Sequence, residues 1–127
     1  MKLRFSKRMV NFYTLPKRMQ DYIYNNLNIE DSGDYRGGSL FKISVNQKRH
    51  INMLLVLDGK TPVAWGIICQ VYGQTMNMFF VAAPYRRKGV GTRIAKRMQA
   101  LTGRRTIGDP WNTQARLFFM SIKAVTC

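Results

Sequence analysis

Seven consecutive residues, Arg86-Arg87-Lys88-Gly89-Val90-Gly91-Thr92, have types and spacing suited to gripping a phosphorylated ligand. Three cations precede two glycines at alternate positions, and helical periodicity begins at Val90. Backbone N–H groups in the first turn of a helix have no partner within the helix and lie at the positive end of its dipole. Glycine lets a ligand approach that backbone closely, which suits a phosphate or pyrophosphate. The turn is neither Gly-x-Gly-x-x-Gly nor a Walker loop ending in Gly-Lys-Ser/Thr, so both of those nucleotide-binding patterns are excluded. The plainer alternative is a basic helix start that contains two convenient glycines.

The flanking elements must hold this turn. Met78, Phe79, Phe80 and Val81 read as a buried strand that Pro84 stops. Beyond the turn, Val90, Ile94, Met98 and Leu101 recur at helical spacing, Arg93, Lys96 and Arg97 face away, and Gly103 ends the helix. Upstream, Ile51 to Leu57 is a strand, Asp58-Gly59 a turn, and Val63 to Tyr72 a second strand starting after Pro62. Gly73-Gln74 turns the chain into a third strand, Thr75 to Ala82, so the three form an antiparallel meander. Residues 2–8 alternate basic and mostly apolar residues, as a half-buried or edge strand would. Pro16 is placed for a first helical turn capped by Thr14, with Met19, Tyr22, Ile23 and Leu27 on one face and Asn25, Asn26 and Asn28 ending the helix.

Residues 30–39 are rich in turn formers and hold three of the six acids, as a loop meeting a cationic group or as a solvated surface loop. Leu40 to Val45 fits a short helix or a short strand. Asp109-Pro110-Trp111-Asn112 forms a turn and helix start, after which Ala115, Phe118, Phe119, Ile122 and Val125 mark an amphipathic closing helix.

The pattern Arg-x-x-Gly-x-Gly between a strand and a helix resembles motif A of the GCN5-related N-acetyltransferases, the GNAT family. The run from Val81 to Thr92 is similar to that family's Val-x-Pro-x-Tyr-Arg-x-x-Gly-x-Gly-Ser/Thr, with the proline displaced by one position to Pro84. The segment Leu-Val-Leu-Asp-Gly-Lys-Thr-Pro-Val-Ala-Trp-Gly-Ile-Ile resembles the family hairpin ahead of the motif. Asn112-x-x-Ala115-x-x-Phe118-Phe119 resembles the later Asn-x-x-Ala-x-x-Leu-Tyr.

The resemblance implies an α/β (α+β) fold in a single domain over residues 1–127. Its sheet would be mixed, mainly antiparallel and twisted, flanked by helices and lacking the usual C-terminal hairpin. It implies acetyl-coenzyme A as co-substrate, with its pyrophosphate on Arg86, Arg87, Lys88, Gly89, Val90, Gly91 and Thr92. The thioester carbonyl would meet backbone N–H groups near Phe80 and Val81 on a bulged strand. The pantetheine arm would enter where a strand at residues 106–108 splays away, touching Asn112 and Phe119; Asn112 serves equally as a helix cap. The family's thiolate-protonating tyrosine is replaced by Phe119, and the motif strand carries Thr75 and Asn77 but no acid. The catalytic residues therefore stay unassigned. His50, Asp58, Asp109, Tyr72 and Tyr85 are titratable candidates without motif support.

A chain of 127 residues with 46% hydrophobic content suits one globular domain. No apolar run approaches the ~18 residues of a membrane span, and the N-terminus lacks a signal-peptide pattern, so a cytoplasmic protein is expected. Cys69 and Cys127 belong to no Cys-x-x-Cys or Cys/His cluster, which argues against structural zinc. Charge is the unusual property. Twenty-one Lys and Arg face six acids, a formal +15, with no acid between Asp58 and Asp109. Such a field attracts polyanions. Coenzyme A accounts for part of it, and an acidic protein or a nucleic acid for the remainder; a solvated basic face is the alternative.

Three functions fit. One is an N-acetyltransferase acting on a macromolecular amine: a protein lysine, an N-terminus or an aminoacylated RNA. Another is a catalytically weak relative that binds and inhibits a partner. The third is a nucleic-acid-binding module, although no recognised nucleic-acid motif occurs. A homodimer would complete the acceptor wall that the missing hairpin leaves open. Size and charge also resemble small chains encoded by bacteriophages, which would place the protein in a host cytoplasm.

Overall fold

The computed structural model describes residues 2–28, 40–71, 74–108, 120 and 125–126. The chain begins with β1 (Leu3–Phe5), β2 (Val10–Asn11), a 3-10 turn at Phe12–Thr14, α1 (Lys17–Asn26) and α2 (Leu40–Asn46). The meander follows as β3 (Ile51–Asp58), β4 (Thr61–Val71) and β5 (Gln74–Val81). A second 3-10 turn at Ala83–Tyr85 leads into α3 (Val90–Thr102), then β6 (Ile107–Gly108) and β7 (Val125–Thr126). The protein is thus mixed α/β. Its five-stranded antiparallel sheet has the order β1-β3-β4-β5, with β2 also pairing β3. A separate parallel pair joins Ile107 to Val125 and Gly108 to Thr126.

Why Met53 to Leu57 of β3 form an unbroken apolar run is settled by packing. Successive residues of a strand point to opposite faces, and here both faces are covered. Ile51, Met53 and Leu55 join Trp65, Ile67 and Cys69 of β4 under Phe12, Ile23, Leu27 and Phe41 from the α1 and α2 side. Leu54 and Val56 join Val63 and Ala64 under Val90, Ile94 and Met98 of α3, with Leu3 and Phe5 packed alongside. Gly66 sets the approach of α3. A Cβ there would stand 2.5 Å from the Met98 sulfur and 2.6 Å from the Ile94 Cγ2, so the helix lies closer to β4 than any other residue type permits.

Trp65 is the centre of the first core. It is fully buried, with its ring 4.9 Å from Phe41 and 6.0 Å from Phe80. Its indole N–H donates to the Leu27 carbonyl at 2.6 Å, which ties β4 to the end of α1. A buried tryptophan needs such an acceptor.

Several local expectations are corrected. Thr14 does not cap α1; its hydroxyl donates to the Asn11 carbonyl within the first 3-10 turn. The Pro16 carbonyl accepts the first helical bonds, from Met19 and Gln20, and the Gln20 side chain donates to the Tyr13 and Leu15 carbonyls. β4 starts at Thr61 and includes Pro62, which sits opposite Leu57 where the register shifts between Val56 and Leu57. A proline is tolerated at such an irregularity because the ladder is already interrupted. Leu40 to Val45 is helical. Leu101 is 41% exposed rather than core, and Tyr22 also stands outside the buried α1 face. Val125 belongs to β7 and not to a closing helix. The turn expected at Gly73-Gln74 is different too, since Gln74 already pairs with Val71 in the ladder. Tyr72, Gly73, residues 30–39 and the helix expected from residue 112 lie outside the described residues, apart from Met120.

Cys69 is buried and carries a free thiol. Burial pushes that thiol up to about 11, against smaller opposing contributions from a Ser44 hydrogen bond and the Arg49 charge. The thiolate is the reactive form, so Cys69 should resist alkylation at pH 8 in the folded state. A Cys127→Ser variant treated with a thiol reagent is expected to be unmodified when native and singly modified in denaturant.

Candidate functional site

The glycine turn stands where β5 hands over to α3. The strand ends at Val81; the Ala82 N–H still bonds the Val63 carbonyl of β4, and Ala83–Tyr85 makes a 3-10 turn with Pro84 in its opening position. Arg87 then takes a left-handed φ of 61° and Gly89 one of 75°. This second reversal is what only glycine adopts at no cost, and it aims the chain into α3. The Gly89 carbonyl accepts the Arg93 N–H at 3.0 Å, while no side chain caps the helix and no acid lies in its first turn. The N–H groups of Val90, Gly91 and Thr92 are therefore the uncapped donors of the helix start. Gly89 is exposed, and a Cβ built on it meets nothing within 4 Å, so the space at its Cα is open.

The predicted residues divide into distinct roles here. Arg87 and Lys88 are exposed beside Gly89 and offer charge to an anion. Gly91 and Thr92 are half-buried in the first turn. Val90 is 2% exposed and its side chain packs into the α3 core, so it offers a ligand only its backbone N–H. Arg86 turns back. Its Nε donates to the Val81 carbonyl at 2.7 Å, and its guanidinium lies 5.7 Å from the Phe80 ring centre. Arg86 thus braces the turn against β5 while its terminal nitrogens remain at an exposed position. Phe80 itself packs on the core that holds Trp65.

The bulge expected at Phe80 and Val81 is absent. Pairing of β4 with β5 runs without a shift from Ala64–Val81 to Val71–Gln74. Ladder alternation still turns the Val81 N–H and carbonyl away from β4, because the neighbouring Ala82 faces β4. The donor is available without the bulge. Asn112 and Phe119 lie outside the described residues, as does the candidate Asp109.

A contact that the motif did not announce ties the turn to the far side of the meander. The Tyr85 hydroxyl donates to an Asp58 carboxylate oxygen at 2.5 Å, across β4. The signal was present as an Asp in the β3–β4 turn and a Tyr after the strand, but their meeting depends on strand order. The hydrogen bond fixes two of the titratable candidates, Asp58 and Tyr85, against each other. The hydrogen bond to Asp58 raises the Tyr85 pKa above that of an ordinary phenol, with burial and the carboxylate charge adding to it. A folded-state pKa raised in this way contributes stability below the unfolded value of 10, which is lost as pH climbs through the raised value. Stability should therefore fall above pH 10, and less steeply in Tyr85→Phe. Denaturant midpoints from pH 8 to 11 check this. His50 is exposed, between the half-buried Arg49 and the buried Ile51.

At the other end of α3, Ile68, Thr75, Asn77, Met98, Gln99 and Thr102 line a cavity of about 20 Å³. That is room for a water molecule or two. The Gln99 side chain donates there to the buried Thr106 hydroxyl at 2.9 Å. β6 lies alongside β5 close by without joining its ladder. The helix separates this cavity from the glycine turn by about 20 Å.

Among the described residues, no group of three His, Cys, Asp or Glu side chains is placed to hold a metal. No helix among them is long and apolar enough to cross a membrane. The chain matches no protein-family model, no curated protein and no solved structure.

Proposed function

We propose that the protein is a GNAT-type N-acetyltransferase that binds acetyl-coenzyme A at the glycine turn and passes the acetyl group to an amine of a macromolecular acceptor. One observation carries this reading: an uncapped helix start, entered through Gly89 in the left-handed region and flanked by exposed Arg87 and Lys88, at the end of the last strand of an antiparallel meander. The donors and charges of that turn fit a pyrophosphate. β6, beside β5 but outside its ladder, supports a splayed slot for the pantetheine arm.

In the transfer, the lone pair of a neutral amine attacks the thioester carbonyl and a carbon–nitrogen bond forms as the carbon–sulfur bond breaks. The proton lost by nitrogen passes, directly or through water, to the departing thiolate, giving an amide and the free thiol of coenzyme A. The outward Val81 N–H is the donor available to the developing oxyanion. Holding the two reactants together supplies much of the rate, so an acceptor presented on a large surface needs few catalytic side chains. Calorimetric titration of acetyl-coenzyme A tests the proposal directly: micromolar binding is expected, and no heat at 100 µM would overturn it. Labelled acetyl-coenzyme A added to a lysate then identifies the acceptor class.

A second reading rests on a specific pair of observations. Phe119 has no proton to give, and β5 lacks a register shift. A catalytically weak form would bind the coenzyme and block a partner stoichiometrically. It predicts inhibition that persists in a variant unable to bind coenzyme.

A further inference from the structure

The solvent face of α3 is a basic ridge made in part by the N-terminal segment. Arg93, Lys96 and Arg97 are exposed at spacings of three and four, so they share one side of the helix. Two of them are held in place by β1 and the residue after it. The Arg93 guanidinium lies 4.2 Å from the Phe5 ring centre, and the Arg97 Nε donates to the Ser6 carbonyl at 2.8 Å. The exposed Lys7 and Arg8 follow directly on Ser6, the residue that Arg97 holds. Both guanidinium groups keep further N–H donors for a ligand, since each makes one anchoring contact and carries five donors.

Between described residues the one ion pair is Lys17–Asp21, on α1 across the sheet from α3. No acid of the described residues neutralises the ridge. Preorganised arginines lose little side-chain entropy on meeting a partner. Their commitment to a fixed line of charge distinguishes the ridge from a set of solvated side chains.

From this arrangement we infer that the α3–β1 ridge docks the phosphodiester backbone of a nucleic acid. Protein partners are usually anchored by buried aromatic and apolar side chains. Here Leu101 is the one large exposed hydrophobic residue on α3. Phosphate contacts need no such anchors, only fixed cations and N–H donors. The ridge cations Arg93 to Arg97 span about 6 Å of the helix axis. The basic turn Arg86–Lys88 that precedes the helix lengthens the line of charge to about 15 Å, a length matched by a few successive phosphates of an extended polyanion. The inference does not depend on acetyl transfer: it concerns the outer face of α3, whereas the coenzyme reading concerns the N-terminal end of that helix.

Fluorescence anisotropy with a labelled 20-base-pair duplex and a 20-mer single strand, from 50 to 300 mM salt, tests it. Four contacted phosphates give a slope of log affinity against log salt of about −3 to −4. The double variant Lys7→Gln/Lys96→Gln leaves Phe5, Ser6 and the two arginines untouched. It should weaken binding at least tenfold at 150 mM salt and flatten the slope by about two units. Lys17→Gln/Lys48→Gln removes the same charge elsewhere and should change affinity less than threefold. Equal weakening by the two pairs would show diffuse attraction and overturn the ridge as a site. Absent or salt-insensitive binding, or equal binding and slope for polyglutamate, would overturn a nucleic acid as its occupant. Melting curves of each variant verify the fold.

Discussion

Trp65→Ala is expected to lower the unfolding free energy by about 3–5 kcal/mol, the range for emptying a large buried aromatic site. The residue is fully buried and sits among Phe41, Phe80, Leu27 and the β3 side chains, so little solvent or loose chain can fill the space. The loss includes the bond to the Leu27 carbonyl, which would be left without the donor it now has. Trp65→Phe separates the two contributions. It preserves most of the ring volume and removes the N–H, at an expected cost of about 1–3 kcal/mol. Native stabilities run to roughly 5–15 kcal/mol, so the alanine variant would sit at the margin of folding. Urea denaturation should show the midpoint falling in the order wild type, Phe, Ala. An alanine variant within about 1 kcal/mol of wild type would mean that this core does not hold α1 and the sheet together.

Gly89→Asp should abolish binding of acetyl-coenzyme A, by a hundredfold or more, while leaving the protein folded. Two effects are set against each other at this position. The left-handed φ of 75° costs a side-chain-bearing residue about 1–2 kcal/mol. A carboxylate near a helix start recovers about 0.3–1 kcal/mol from the dipole, and there is open space for it. Net destabilisation is therefore small. The same carboxylate would stand within a few ångströms of a bound pyrophosphate, where like charges at 4 Å repel by about 4 kcal/mol near a protein surface. That corresponds to between two and three orders of magnitude in affinity. Gly89→Asn is the control, since asparagine tolerates the left-handed region and carries no charge; it should bind within about tenfold of wild type. If Asp and Asn weaken binding equally, backbone strain is responsible. If neither does, the turn does not hold the anion.

Much of this architecture was legible along the chain because it is written in local chemistry. The meander follows from apolar runs separated by Asp58-Gly59 and the neighbourhood of Gly73. The entry to α3 follows from two glycines among cations, and its exit from Gly103, whose φ of 68° ends the helix with a bond to the Gln99 carbonyl. Periodicity alone separated Val90, Ile94 and Met98 from Arg93, Lys96 and Arg97, as their burial bears out.

Other features were misread because distant parts of the chain decide them. Leu101 continues the apolar spacing of α3 yet lies exposed. Thr14 had the chemistry of a cap but was taken by the nearer Asn11 carbonyl. Leu40 to Val45 could be assigned to neither helix nor strand until Phe41 was placed against Phe12 and Trp65.

By itself, then, the sequence determined the order of the meander, the glycine turn and the polarity of α3, because strand alternation, proline, glycine and helical spacing act over a few residues. The tertiary structure alone decided that Tyr85 meets Asp58 across β4, and that Arg93 and Arg97 of α3 anchor on Phe5 and Ser6. Each of these joins residues brought together by strand pairing or by the packing of a helix on the sheet, and no local pattern encodes such a distance.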